Sequence, residues 1–186
     1  MTTLDNGIVI DESIDAAHLT RAADCPAVFG QARNVSGVTV HHWGDDGQNF
    51  DTVVAYLASD NARESSAHFV VQDGRVTCLV SPDDAAWHAG NATGNCITVG
   101  IEMRPECTPG DLAALESLIR YLQTIYGDLA VYKHDDWINT ACPGRYGALV
   151  DQIVAGVNAG APAPIVTAPA PTPAPAGSHH HCCCND

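Results

Sequence analysis

The sequence lacks long hydrophobic runs and is poor in basic residues. Its apolar runs are all well short of the roughly 20 residues that a helix needs to cross a bilayer. Only 8 Lys and Arg residues stand against 22 Asp and Glu residues, which gives a formal charge of -14. The field of such a protein repels phosphate backbones and anionic lipid surfaces. We therefore expect neither a nucleic acid nor a membrane as a partner.

The sequence also lacks the marks of a self-exported, disulfide-rich protein. Residues 1–12 have neither the basic start nor the long apolar stretch of a signal peptide. Five of the eight cysteines are scattered and three are consecutive near the C-terminus, which is not a dense disulfide framework. A bridge between Cys96 and Cys107 is one possibility and free thiols are the other, since connectivity cannot be deduced from sequence.

The length is sufficient for one compact domain with its own core, followed by a tail. From about Ala161 the chain alternates Ala and Pro, a composition that prefers extended polyproline conformations to a packed core. We predict an N-terminal segment at 1–34, packed on or preceding the domain, then the domain itself at 35–158 and an Ala/Pro-rich linker at 159–177. Residues 178–186 read as an expression tag or scar, with a natural metal-binding tail as the alternative.

Strand-like and helix-like segments alternate through the predicted domain, which predicts an α/β fold: a single domain with a central mixed β-sheet flanked by helices. Asp73-Gly74 favours a tight hairpin turn between two of the strands. The predicted strands are 38–41, 69–71, 76–80, 97–103 and 130–132, and the predicted helices are 49–58, 109–126 and 146–157. Apolar residues at three-four spacing predict one buried stripe on the second helix, made of Leu112, Leu115, Leu118, Ile119, Leu122 and Ile125.

Three potential metal ligands stand where strand ends or loops could aim them at one point. His41 ends the first predicted strand, His134 lies just beyond the last one, and Cys142 lies in an Ala-Cys-Pro-Gly turn. Two neutral imidazoles and one thiolate suit Zn²⁺ and leave a fourth position for water, as a catalytic site requires. Strand alternation favours His41 over His42, because His42 falls on the apolar face.

The order of these segments resembles the type 2 N-acetylmuramoyl-L-alanine amidase family, which has the fold of the peptidoglycan recognition proteins. The resemblance spans roughly residues 35–154, and residues 91–106 look most like endolysins of actinobacterial phages. It is carried by the motifs VTVHH at 38–42, SSAHFVV with Asp-Gly at 65–74, AAWHAG at 85–90 and KHDDWINTACPG at 133–144. The resemblance implies that His41, His134 and Cys142 hold zinc.

Glu102 is the residue that we add to this set. Thr98, Gly100 and Glu102 alternate with apolar residues along one predicted strand, so the carboxylate faces away from the core. A carboxylate beside the metal can take a proton from water and deliver one to a leaving amine. The resemblance assigns this catalytic role to the Glu of the Gly-Ile-Glu motif, and a surface ion pair is the alternative.

The chain departs from the family at two positions. Some members carry a Tyr and a Lys where this sequence has Ala67 and Thr140. Zinc, the Thr140 hydroxyl or His88 would then have to stabilise the oxyanion. We predict His88 and Thr140 as substrate-binding residues, with a loop-bracing hydrogen bond as an equal alternative for His88. We expect His68 to support the hairpin and His18 to be an ordinary surface residue.

The resemblance implies a zinc-dependent enzyme that hydrolyses the amide between N-acetylmuramic acid and L-alanine in bacterial peptidoglycan, as the catalytic domain of a phage endolysin. The alternatives are a peptidoglycan-binding module without activity and a cytoplasmic amidase that recycles muropeptides. We expect a monomer, tethered to a C-terminal wall-binding module absent from this sequence. The expected location is the host cytoplasm before release, followed by action on the cell wall.

Overall fold

A six-stranded mixed sheet forms the centre of the computed structural model, which describes residues 2–160, and a two-stranded sheet lies apart from it. The strands are β1 (Ile10–Asp11), β2 (Leu19–Thr20), β3 (Gly37–His42), β4 (Phe69–Gln72), β5 (Arg75–Cys78), β6 (Ala85–Ala86), β7 (Thr98–Met103) and β8 (Ala130–Lys133). The helices are α1 (Cys25–Phe29), α2 (Phe50–Ala58), α3 (Ala92–Ile97), α4 (Pro109–Tyr126) and α5 (Val150–Ala159). Short 3-10 helices span Ala22–Asp24, His134–Asp136 and Gly144–Leu149. The predicted α/β fold with a central mixed sheet is confirmed.

The large sheet has the strand order β1-β5-β4-β7-β3-β8. Strands β4 and β5 form the predicted antiparallel hairpin, with Gly74 at φ 73° in its turn, a value that glycine adopts without strain. The other neighbouring strands of this sheet are parallel. The carboxyl ends of β3, β7 and β8 therefore meet at one edge, which is where α/β sheets bind their ligands.

Helices cover the sheet on both faces, and strand alternation decides which side chains they meet. Val38 on β3 and Val99 on β7 pack in one core cluster with apolar residues of α4 and α5. Val70 on β4 points to the opposite face and packs in a second cluster with Val54 and Leu57 of α2. Burial of each such side chain contributes about 1.5–3 kcal/mol, so both faces stabilise the sheet.

Helix α4 begins at the predicted N-cap. Thr108 accepts a hydrogen bond from the backbone N–H of Asp111, and the Asp111 carboxylate accepts one from the backbone N–H of Thr108. This reciprocal cap stabilises the helix by about 1 kcal/mol.

One residue of the predicted buried stripe on α4 is wrong. Ile125 is 48% exposed, because it lies in the last turn of α4, beyond the core clusters.

Two predicted boundaries are also wrong. Residues 92–97 form α3, whose N-cap Asn91 accepts a hydrogen bond from the backbone N–H of Gly94, so β7 begins at Thr98 and not at Ile97. The last helix begins at Val150 and not near Tyr146, because residues 144–149 form a 3-10 turn. The Tyr146 hydroxyl donates to the carbonyl of Arg104, which ties this turn to the end of β7.

The first 34 residues contribute β1, β2 and α1, and β1 pairs with the edge strand β5. The division of the chain at residues 34 and 35 stays a prediction, and the linker beyond residue 160 and the tag at 178–186 lie outside the described residues. Cys96 and Cys107 are free thiols. Within residues 2–160, no helix combines the length and apolar character needed to span a bilayer.

Candidate metal centre

The sheet places His41 beside Glu102. The two residues are register partners on the parallel strands β3 and β7, so their side chains leave the sheet on the same face. Strand β8, on the other side of β3, leads directly into His134. Three strands therefore deliver an imidazole, a carboxylate and a second imidazole to one edge of the sheet.

The ligand atoms of His41, His134 and Cys142 lie within 4.8 Å of one another. The Sγ atom of Cys142 is 3.8 Å from Nδ1 of His41, and the two imidazole ring centres are 4.3 Å apart. The backbone N–H of His42 donates to the Cys142 sulfur over 3.3 Å. The structure thus brings together the three residues that the sequence predicted as zinc ligands.

The chemistry of these donors fits a zinc ion. Neither ring nitrogen of His134 makes a hydrogen bond of good geometry within the described residues, although both are buried. Burial, with the neighbouring His88, holds the pKa of His41 well below its usual range, so this imidazole is neutral, as ligation requires. Burial and the nearby Glu102 raise the pKa of Cys142 to about 12, so a cation at the sulfur is needed to ionise it.

His88 holds the far side of the His41 ring. Nε2 of His41 lies 3.0 Å from Nδ1 of His88, and His88 is 7% exposed. Because Nδ1 of His41 faces Cys142, ligation through Nδ1 requires the tautomer with hydrogen on Nε2, and this N–H then donates a hydrogen bond to Nδ1 of His88. A partner of this kind fixes the tautomer and the orientation of a ligating imidazole. The placement fits the loop-bracing alternative for His88, and substrate contact stays a prediction.

A chain of buried hydroxyl groups extends this support to the His134 loop. Nε2 of His88 lies 3.4 Å from the Thr98 hydroxyl, which donates to the carbonyl of Gly94 over 2.7 Å. The Thr39 hydroxyl lies 2.8 Å from that of Thr98 and accepts a hydrogen bond from the Trp137 indole over 2.9 Å. Thr39 and Thr98 are fully buried. Trp137 directly follows His134–Asp136, so one network braces two of the three predicted ligands.

The sequence could have indicated part of this network. Strand alternation already places Thr39 with His41 and Thr98 with Glu102, on the face opposite to the core. Hydroxyls at those positions are candidates for hydrogen bonds to ligands. Trp137 carries no such signal, because its contact with Thr39 depends on how the loop after β8 folds back over β3.

Glu102 connects the metal centre to a cavity of about 610 Å³. Its Oε2 atom is buried and has no hydrogen-bond partner within the described residues. Burial raises the pKa of this carboxyl to about 7. A carboxyl whose pKa lies near neutrality can both accept and donate a proton at physiological pH.

Helix α2 and the loops on either side of it form most of the cavity wall. The polar side chains that line it come from Gln48, Asn49, Thr52, Tyr56, Arg63 and Ser65. His42, Trp43 and Leu57 also contribute to the wall. The volume is in the range of ligand-binding sites, and amide and hydroxyl groups suit a peptide.

The remaining predicted residues fall in different places. The Thr140 hydroxyl accepts a hydrogen bond from the backbone N–H of Cys142, and its predicted contact with substrate stays a prediction. His68 is fully buried, and its Nδ1 accepts from the backbone N–H of Gly100 on β7. The expectation for His18 is wrong: its side chain is only 14% exposed, because its ring packs 5.9 Å from that of Trp87.

Sequence reasoning missed Arg33. Its guanidinium is buried and donates to the carbonyls of Pro82, Asn95 and Thr98 at 2.7–3.2 Å. It also lies 3.1 Å from Nε2 of His68. The sequence around Arg33 does not indicate this role, because all of its hydrogen-bond partners are distant in sequence.

Two curated proteins are similar to this chain in sequence. The chain is 29% identical to the N-acetylmuramoyl-L-alanine amidase CwlA of Bacillus subtilis (strain 168) over 118 residues, which are 58% of this chain and 43% of CwlA. It is 27% identical to the N-acetylmuramoyl-L-alanine amidase XlyB of the same organism over 134 residues, which are 67% of this chain and 40% of XlyB. The chain therefore spans about two fifths of the length of these relatives.

The fold is that of solved endolysin-type domains. The catalytic domain of XlyA superposes with a TM-score of 0.64 at 23% identity, over 81% of this chain and 99% of that domain. The family described as N-acetylmuramoyl-L-alanine amidase matches residues 31–145, which is more than half of the chain. This chain therefore belongs to the N-acetylmuramoyl-L-alanine amidase family.

Proposed function

We propose that this protein hydrolyses the amide between N-acetylmuramic acid and L-alanine in bacterial peptidoglycan, with zinc held by His41, His134 and Cys142. The observation that carries the proposal is the convergence of these three ligand atoms within 4.8 Å, beside Glu102 and a cavity. Family membership supports the choice of bond, since the metal-centre geometry alone does not distinguish one amide from another.

Zinc bound there would supply Lewis acidity, which lowers the pKa of water and polarises a carbonyl. The protein's own residues orient the zinc ligands, stabilise the thiolate and transfer the proton. His88 keeps the Nδ1 atom of His41 aimed at the centre by accepting a hydrogen bond from the Nε2–H group of His41. The backbone N–H of His42 donates to the Cys142 sulfur and stabilises it as a thiolate.

Glu102 moves the proton. Its unpartnered Oε2 atom accepts the proton of the attacking water and returns it to the nitrogen of the departing L-alanine. The Thr140 hydroxyl, beside Cys142, supplies a hydrogen-bond donor where some family members carry a Lys.

We also propose a lytic role on intact walls, as the catalytic part of an endolysin that meets the wall after release from the host cytoplasm. The Ala/Pro-rich sequence after residue 160 suits a tether to a wall-binding module. The rival role, recycling of soluble muropeptides, predicts equal or better activity on soluble fragments. Relative rates on intact walls and on soluble fragments separate the two roles.

The central test measures new N-terminal alanine released from purified cell walls. Three His and three Cys residues after Ser178 could bind metal on their own, so the assay uses the full chain with these six residues replaced by Ala. We refer to it as the tail-substituted chain. We expect alanine release that a chelator abolishes and that added zinc restores. Binding to walls without alanine release in zinc-replete buffer would instead identify a non-catalytic binding module.

A further inference from the structure

Arg63 differs from every other cation in residues 2–160. The other Lys and Arg side chains are engaged: the ion pairs are Arg21–Asp84, Arg75–Asp51, Arg104–Asp111, Arg120–Asp5, Lys133–Asp135 and Arg145–Asp46, and Arg33 is buried against carbonyl groups. The Arg63 side chain makes no ion pair and no hydrogen bond within that range. Arg63 is exposed, so its guanidinium is available to an anionic group that enters from solution.

The loop that carries Arg63 is held in one shape by the buried side chain of Asn61. Its Oδ1 atom accepts hydrogen bonds from the backbone N–H groups of Arg63 and Ser65, both over 3.2 Å. Its amide nitrogen donates to the carbonyl of Ser65 over 2.7 Å and to that of Tyr56 at the end of α2 over 3.3 Å. Between Arg63 and Ser65, Glu64 adopts φ 51°, a conformation that costs free energy in a residue other than glycine.

This braced loop places Arg63 on the wall of the cavity that Glu102 also lines. Arg63 is the only Lys or Arg on that wall, and the other polar groups from α2 and its flanking loops are uncharged amides and hydroxyls. The surrounding acidic protein repels an anionic ligand. One cation in the cavity therefore selects where a negative group of the ligand can lie.

We propose that Arg63 binds a carboxylate of the stem peptide, beyond the L-alanine whose amide is cleaved. This inference rests on the proposed function, because it assumes that the cavity holds the peptide of a muramoyl peptide. A guanidinium pairs with a carboxylate through two parallel N–H···O hydrogen bonds, which fix the direction of the bound peptide. Arg63 is thus a specificity residue for peptides with a free carboxylate over peptides in which that group is an amide.

The test compares two soluble substrates, N-acetylmuramoyl-L-alanyl-D-glutamate and the same compound with both carboxylates converted to amides. Each is cleaved by the zinc-loaded tail-substituted chain and by its Arg63→Gln, Arg63→Lys and Arg21→Gln variants. Arg21→Gln is the matched control, because Arg21 pairs with Asp84 and does not line the cavity. We expect Arg63→Gln to raise the KM for the acid about tenfold with kcat unchanged, and to leave the KM for the amide unchanged. Arg63→Lys should lose less, since it keeps the charge without the paired hydrogen bonds.

Two outcomes overturn the assignment: an equal rise in KM for both substrates, which indicates a structural effect, and no rise for either. A measurement without turnover separates this inference from the proposed function. If the wild-type protein releases no alanine from walls or from either substrate, the proposed function fails. Calorimetric titration of the acid into the wild-type and Arg63→Gln proteins then still decides the role of Arg63, because the proposal requires weaker binding by the variant and equal affinities contradict it.

Discussion

The Nε2 atom of His41 lies 3.0 Å from the Nδ1 atom of His88, so one buried imidazole holds another. His41 is 1% exposed, and the second nitrogen of its ring faces Cys142. A ligand held in this way loses little conformational freedom when it binds an ion. In the proposed zinc site, the metal affinity therefore depends on a residue that is not one of the three proposed ligands.

Replacing His88 should weaken zinc binding. We expect His88→Ala to lower the zinc affinity of the tail-substituted chain about 10- to 100-fold, because the His41 ring loses the partner that fixes its tautomer. His88→Gln should retain part of the affinity, since its amide oxygen can still accept a hydrogen bond. Competition with a chromophoric chelator measures the constants. His18→Ala, which removes a partly buried imidazole away from the ligands, is the control, and equal losses in both Ala variants would contradict the prediction.

Gly100 makes room for His88. A Cβ atom added at Gly100 would lie 2.7 Å from Nδ1 of His88, closer than real Cβ contacts allow, and the ring would have to move. We expect Gly100→Ala to lower zinc affinity by about the same factor as His88→Ala, while the protein stays folded. Gly147→Ala is the matched control, because the nearest atom to its Cβ would be 3.9 Å away. A folded Gly100→Ala protein with wild-type zinc affinity would show that the ring position is unimportant.

The sequence was sufficient to predict which three side chains the structure brings together, and the strands β3 and β8 that position two of them. Alternation along β3 and β7 separates His41 and Glu102 from the apolar residues, and this local rule holds in the structure because the apolar residues of both strands pack in one core cluster on a single face of the sheet. The hairpin turn at Gly74 and the N-cap at Thr108 were also predictable, since each depends on residues adjacent in sequence. These features could be predicted because they depend on residues that are close together in the sequence.

Features that depend on distant parts of the chain could not be predicted. The contacts of Arg33 join residues that are 35 to 65 positions apart, and no pattern near Arg33 signals them. The burial of His18 depends on how the loop around Trp87 packs against the N-terminal segment. Ile125 keeps the helical period of its stripe, but the core ends before it. Periodicity identifies which face of a helix is buried, but it does not show how far along the helix the core extends.

Removing the Glu102 carboxylate should abolish most of the activity without removing the metal. Glu102→Gln keeps the shape of the side chain but cannot accept the proton of water, so we expect kcat to fall about 100- to 10,000-fold. Zinc affinity should stay at the wild-type value, because Glu102 is not among the three proposed ligands. Alanine release and chelator competition measure the two quantities separately. Glu116→Gln, a carboxylate on α4 outside the site, serves as the control. A parallel loss of zinc and activity would instead make Glu102 a ligand.

The Asp5 carboxylate should stabilise the fold in a pH-dependent way. It accepts hydrogen bonds from Arg120 and from the buried Ser117 hydroxyl, both on α4. The hydrogen bond from Arg120, opposed by burial and aided by the one from Ser117, lowers the pKa of Asp5 below its usual value. A carboxyl whose pKa is lower in the folded state contributes stability above the unfolded pKa of about 3.9, and this contribution is lost as the pH falls through the folded value.

Asp5→Asn should therefore lower the free energy of unfolding at pH 7 by about 0.5–1 kcal/mol, a value reduced for solvent screening because the Asp5 side chain is 46% exposed. The difference between variant and wild type should shrink as the pH is lowered below about 4, because protonation removes the same charge from the wild-type protein. Urea denaturation at pH 7, 5 and 3 measures it, with the exposed Asp15→Asn as the control. A difference that stays constant down to pH 3 would mean that Asp5 acts through packing and not through its charge.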